Sequence, residues 1–158
     1  MKNHAKLIAL CLLVSFACGK DIRSLAEEGD AEAQNRLGYM YDKGDGVEQS
    51  NKQAFKWYYQ SAEQGFAKAQ YNLASMYFIG QGIRRSKTEA AAWYYKSAKQ
   101  GFVEAQLKLG FMLWDGDGVK KNMTEAEQWF TLAADQGNAI ARQALRQIKA
   151  GKSLSDSR

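Results

Sequence analysis

Apolar residues recur along this chain on two nested periods. Within Ala31–Lys43, the residues Ala33, Leu37, Met40 and Tyr41 stand at i, i+4, i+7 and i+8, which places them on one face of an α-helix. Asp30 precedes them as an N-cap candidate. A second helix is expected from Asn51 to Gln64, with Ser50 as its cap and Ala54, Trp57, Tyr58 and Ala62 as its buried stripe. Gly65 supplies the residue that commonly closes such a helix. The longer period is 36 residues. It relates Gly29, Gly65, Gly101 and Gly137, and likewise Ala26, Ala62, Ala98 and Ala134. Leu37, Leu73, Leu109 and Leu145 form a third series, and Trp57, Trp93 and Trp129 a fourth. One helical hairpin cannot bury its own apolar faces, but stacked hairpins share a continuous core. The pattern therefore predicts an all-α, α/α superhelical solenoid of three hairpins, over residues 31–66, 67–102 and 103–138. Half-repeat caps flank it: a short helix within 19–30, and a helix over 139–150 whose matches to the core pattern weaken at Arg146 and Lys149. Residues 151–158 read as a frayed tail.

Each hairpin turns on a glycine pair: Gly44/Gly46, Gly80/Gly82 and Gly116/Gly118. The third turn, WDGDGVKKN, looks like a calcium loop, but Val119, Lys120 and Ala126 stand where that loop needs an oxygen ligand, a glycine and a bidentate acid. The second copy replaces Asp115 and Asp117 by Ile79 and Gln81, so the acids are dispensable and the glycines are the recurrent feature. The pairs Asp115/Asp117 and Glu125/Glu127 read as turn and surface chemistry, because nothing in the pattern buries them.

The N-terminus reads differently. Lys2 and Lys6 precede an apolar run, Leu7–Ala17, too short to span a bilayer, and small residues follow. Residues 1–18 are expected to be an export signal. VSFAC, ending at Cys18, has the small residue of a bacterial lipidation site but carries Ser15 where leucine is usual, so acylation of Cys18 and ordinary cleavage stay as alternatives. Export would remove His4 and Cys11, leaving no imidazole for a Ser-His-Asp triad or a His-ligated zinc, and no second cysteine for a disulfide. It also lowers the net charge from +5: without Lys2 and Lys6, 20 basic residues face 17 acidic ones. That balance gives no argument for nucleic acid. No cofactor is expected, and no S-x-x-K serine lies in any turn.

The three units AEAQNRLGYMYDKGDGV…AFKWYYQSAEQG, AKAQYNLASMYFIGQGI…AAAWYYKSAKQG and VEAQLKLGFMLWDGDGV…AEQWFTLAADQG resemble the Sel-1-like repeat, a relative of the tetratricopeptide repeat. The resemblance spans about Ala31 to Gly137. It implies a right-handed superhelix and a non-enzymatic role as a protein-binding adaptor. Many bacterial members are exported, which would place this one in the cell envelope. A periplasmic inhibitor or immunity protein against a secreted toxin is a narrower version. One secreted branch, associated with β-lactams, staples each hairpin with a disulfide; no unit here contains cysteine, so a hydrolase of that kind is the weaker alternative. A protein partner is expected, with membrane contact only through a lipid anchor and the chain itself a monomer.

In related superhelices the first helix of each hairpin lines the concave face. In that register the variable positions collect Tyr39, Tyr71, Phe78, Leu107, Phe111 and Trp114, edged by Arg36, Asn72 and Lys108. Exposed aromatic clusters mark interfaces, so these residues are the expected partner-binding groove. A second candidate is a basic ridge of Arg84, Arg85, Lys87, Lys120 and Lys121 beside the second and third turns, suited to an acidic protein or anionic headgroups.

Overall fold

The computed structural model describes residues 21–151, so the expected export signal, Cys18 and most of the expected tail over 151–158 lie outside the described residues. Eight helices follow one another: α1 (Ile22–Glu27), α2 (Ala31–Lys43), α3 (Asn51–Glu63), α4 (Ala67–Ile79), α5 (Lys87–Lys99), α6 (Val103–Asp115), α7 (Met123–Asp135) and α8 (Ala139–Lys149). Each packs on its predecessor and its successor, giving the hairpins α2–α3, α4–α5 and α6–α7 between the caps α1 and α8. Among the described residues there are no strands, and no helix is long and apolar enough to cross a membrane.

The helix limits follow from local chemistry. Asp30, Ser50, Ser86, Asn122 and Asn138 each accept a hydrogen bond from a backbone N–H of the first turn. Phe66 and Phe102 hold the same position before α4 and α6 without a side-chain cap; Phe102 instead packs 5.2 Å from the Tyr71 ring. Gly44, Gly80 and Gly116 close α2, α4 and α6 in the left-handed conformation, each N–H bonding back to Met40, Met76 or Met112.

The core runs from α3 to α8, with Tyr58, Tyr94 and Phe130 buried at equivalent positions of the three hairpins and Trp114 and Leu73 fully enclosed. A smaller cluster of Ala26, Ala33 and Leu37 seats α1. The tryptophan series is less uniform than its period suggests: Trp93 is buried, whereas Trp57 and Trp129 are half-buried. Gly38 and Gly110 lie directly under the rings of Tyr58 and Phe130, so close that an added Cβ would stand 2.7 Å from a ring carbon.

A polar ladder accompanies this core. Gln34, Gln70 and Gln106 are buried, and each donates to the end of the preceding helix, at Ala26, Ala62 and Ala98 (3.0, 3.2 and 3.2 Å). Each also accepts from the glutamine that ends its own hairpin: Gln64, Gln100 or Gln136 (2.7, 2.8 and 2.9 Å). A buried amide thus joins three helices at every junction. Gln106→Leu should cost about 1 kcal/mol in urea unfolding, the scale of one net hydrogen bond. The loss stays modest because the Ala98 carbonyl retains the Gly101 N–H and Gln136 is exposed to water.

Candidate binding face

The expected aromatic groove divides into three depressions along the first helices of the hairpins. The first holds Arg36 and Tyr39 of α2 with Phe66 and Lys68, around about 300 Å³. The second, about 180 Å³, lies between Asp42 and Lys43 of α2 and Asn72, Ser75 and Ile79 of α4. The third, about 260 Å³, joins Phe78 of α4 to Lys108 and Phe111 of α6, with Tyr94 and Met112 behind them and Asp115 and Asp117 at the edge. Asn72 Nδ2 donates to the buried Asn35 Oδ1 at 3.0 Å, tying α4 to α2 across this face.

Of the expected residues, Tyr39 is openly presented, at 48% exposure, with the Lys43 ammonium 5.9 Å from its ring. Arg36 and Lys108 are exposed, and Asn72, Tyr71, Phe78, Leu107 and Phe111 are half-buried. Tyr71 is partly spent on structure, its ring 5.6 Å from Tyr94 as well as against Phe102.

Trp114 is a correction. It is 1% exposed and belongs to the core, not to a solvent face. Helical side chains lean back over the preceding turn. Trp114 does so onto Phe111, stacked at 6.1 Å and 9°, with Phe130 edge-on at 5.8 Å. Its indole N–H finds no acceptor among the described residues.

The basic ridge also separates. Lys87 is half-buried, ion-paired with Asp117 of the next turn, and sits 5.6 Å over the Phe78 ring, so it belongs to the edge of the third depression. Arg85 is exposed and turns its Nε–H to the Phe78 carbonyl at 3.0 Å. Arg84, Lys120 and Lys121 are exposed. Of the five basic residues, Lys87 is thus engaged with the third turn and Arg85 with the end of α4.

Burial pushes the Tyr94 phenol up to about 12, and its oxygen lies 2.9 Å from Ser75 Oγ. Burial raises Tyr58 in the same direction. Because the folded state disfavours these phenolates, the stabilisation is fully present below the free phenol's pKa of 10.0 and is lost as pH rises towards 12. Alkaline titration followed by tyrosinate absorbance should show Tyr94 and Tyr58 ionising late, together with unfolding; Tyr94→Phe should lower the amplitude of that step and leave the Tyr58 contribution.

The Sel1 repeat model matches residues 31–66, 67–102 and 103–138. The chain belongs to the Sel1 repeat family. A Sel1 repeat protein from Oxalobacter formigenes is similar in structure, with 38% identity and a TM-score of 0.75 over 80% of this chain and 96% of that one. So is c5321, a protective antigen present in uropathogenic Escherichia coli strains, with 39% identity and a TM-score of 0.76 over 78% of this chain. That match takes in 26% of the antigen. Helicobacter pylori cysteine rich protein B shares the fold, at 23% identity and a TM-score of 0.63 over 80% of this chain and 96% of that one. Among curated proteins none matches. The Sel1 solenoid is a protein–protein interaction fold.

Proposed function

We propose that this Sel1 protein is an exported, non-enzymatic adaptor of the cell envelope that holds a protein partner on the face formed by α2, α4 and α6. The observation that carries the reading is the run of three adjoining depressions on that face. Tyr39 stands open in the first, and Phe78 and Phe111 supply apolar surface in the third. Such a surface offers amphipathic anchors inside a charged rim, as interfaces do. The non-enzymatic part rests on the residue supply, since His4, Cys11 and Cys18 all precede the solenoid.

The test uses Tyr39→Ser/Lys108→Glu, two exposed positions whose replacement leaves the core untouched. Wild-type protein should capture a stoichiometric partner from envelope and secreted fractions, and the double variant, with unchanged circular dichroism, should lose it. Retention by the folded variant would move the site off this face. Attachment through Cys18 is read separately, by palmitate labelling that Cys18→Ser abolishes.

A further inference from the structure

The opposite side of the solenoid carries a larger cavity, about 950 Å³, where α5 meets the third hairpin. Ala91 and Ala92 of α5 and Leu109 and Leu113 of α6 line it, and Val119 of the third turn and Tyr95 complete the apolar wall. Its rim is basic: Lys96 of α5 and Lys120 and Lys121 of the turn.

Internal comparison explains why the cavity lies at this junction. One repeat earlier, Phe55 stands in place of Ala91 and Tyr77 in place of Leu113. Those two rings meet edge-on at 5.5 Å, and Phe55 also stacks on Tyr59 at 6.0 Å. The first junction is thus filled by an aromatic pair. The second, built on the same backbone plan, has an alanine and a leucine there and stays open.

The charges around it are unbalanced. Glu125 is the acid in the lining, and its carboxylate already accepts from Asn122 Nδ2 at 3.2 Å and from the Trp129 indole at 3.4 Å. Lys96 lies 3.6 Å over the Trp93 ring and has no ion-pair partner among the described residues. Among the described residues Lys120 and Lys121 have no ion-pair partner. Three ammonium groups and one carboxylate therefore ring an apolar hollow, which leaves a surplus of positive charge at its rim. The hollow is at the upper end of the size range of ligand-binding pockets, and it has room for a bulky side chain with its flanking backbone.

We propose that this cavity is a second docking site, independent of the α2–α4–α6 face, for an acidic protein segment that inserts one large apolar side chain between α5 and α6 and sets its carboxylates against Lys96, Lys120 and Lys121. The apolar anchor supplies affinity, and the lysine rim selects acidic flanks and makes binding salt-sensitive.

The experiment is a selection of random peptides displayed on phage against residues 19–158, followed by synthesis of the enriched peptide and titration by fluorescence anisotropy. Enriched sequences should combine a Phe, Leu or Trp with flanking Asp and Glu. Two variants locate the site. Ala91→Phe/Leu113→Tyr fills the cavity with the pair that the protein itself uses one repeat earlier, and Lys120→Glu/Lys121→Glu inverts two exposed rim charges. Each should weaken the peptide about tenfold or more, the scale of losing one buried apolar anchor or its paired charges. Tyr39→Ser/Lys108→Glu should leave it unchanged. If the filled variant does not fold, the charge inversion alone decides. Enrichment of basic or uncharged peptides, binding that survives the charge inversion, or sensitivity only to the Tyr39/Lys108 variant would each overturn the proposal. Dodecanoate binding in this cavity with no peptide enriched would also overturn it, in favour of a small amphiphilic anion.

Discussion

Trp114→Ala is expected to cost about 3–5 kcal/mol of stability, the range for emptying an aromatic site in a packed core. The side chain is enclosed by Phe111 and Phe130, and Gly110 lets the Phe130 ring lie against α6 with no Cβ between them. Removing the indole therefore opens a void that neighbouring rings fill only by leaving their contacts. In a domain of this size the melting midpoint should fall by roughly 10 °C. The damage should start locally, because each repeat contacts only its neighbours. Hydrogen exchange in α6, α7 and α8 is expected to accelerate before that in α2 and α3. Trp114→Phe separates the two properties of the side chain. It keeps a ring, as Phe78 does at the same position of the preceding repeat, and drops the N–H that has no acceptor. Its cost should be about 1–2 kcal/mol, well below that of alanine, because only part of the indole volume is removed. Equal losses for both variants would mean that packing against Phe111 and Phe130 is not what holds Trp114.

The helices were legible because their limits are written locally. Asp30, Ser50, Ser86 and Asn122 cap the helices that they precede, and the 36-residue series show which faces turn inward. The candidate face was legible only in part. Register places Tyr39 level with Phe111, and Phe78 level with Trp114 one turn on, but register does not say how far a side chain folds back. Trp114 has a ring at i−3 to lie on, Phe111, where the second repeat has Ser75 before Phe78. The glutamine ladder carried a signal of the same period, Gln34, Gln70 and Gln106, in the same phase as the leucines. Period alone does not show their role: each amide is buried because two partners satisfy it. The cavity beside α5 depends on a comparison across a junction, Phe55 with Tyr77 against Ala91 with Leu113. One-dimensional periodicity does not reveal that those positions face each other.

The turn glycines allow backbone strain to be separated from repeat stacking. Gly46, Gly82 and Gly118 have nearly the same conformation, with φ of 70°, 73° and 78°. An alanine at any of them meets the same left-handed penalty, about 1–2 kcal/mol. Their surroundings differ. A Cβ at Gly46 would find only the Met40 terminal methyl, at 3.6 Å, since no full hairpin precedes the first. At Gly82 it would stand 2.5 Å from the Asn51 carbonyl oxygen, and at Gly118 2.6 Å from the Lys87 carbonyl carbon. Both obstacles are backbone in the first turn of the preceding hairpin's second helix, and neither can yield without shifting α3 or α5. Gly82→Ala and Gly118→Ala should therefore cost roughly 1–3 kcal/mol more than Gly46→Ala, the added cost of overpacking. Urea unfolding of the three variants measures the difference directly, and equal losses would show that the contact between repeats is looser than the close approach implies. The consequence at Gly118 extends to binding. Lys87 stands at this contact and pairs with Asp117 at the edge of the third depression, while Val119 and Lys120, the next two residues, line the cavity on the other side. One methyl group at Gly118 would thus displace both candidate surfaces at once, whereas the same change at Gly46 leaves them in place.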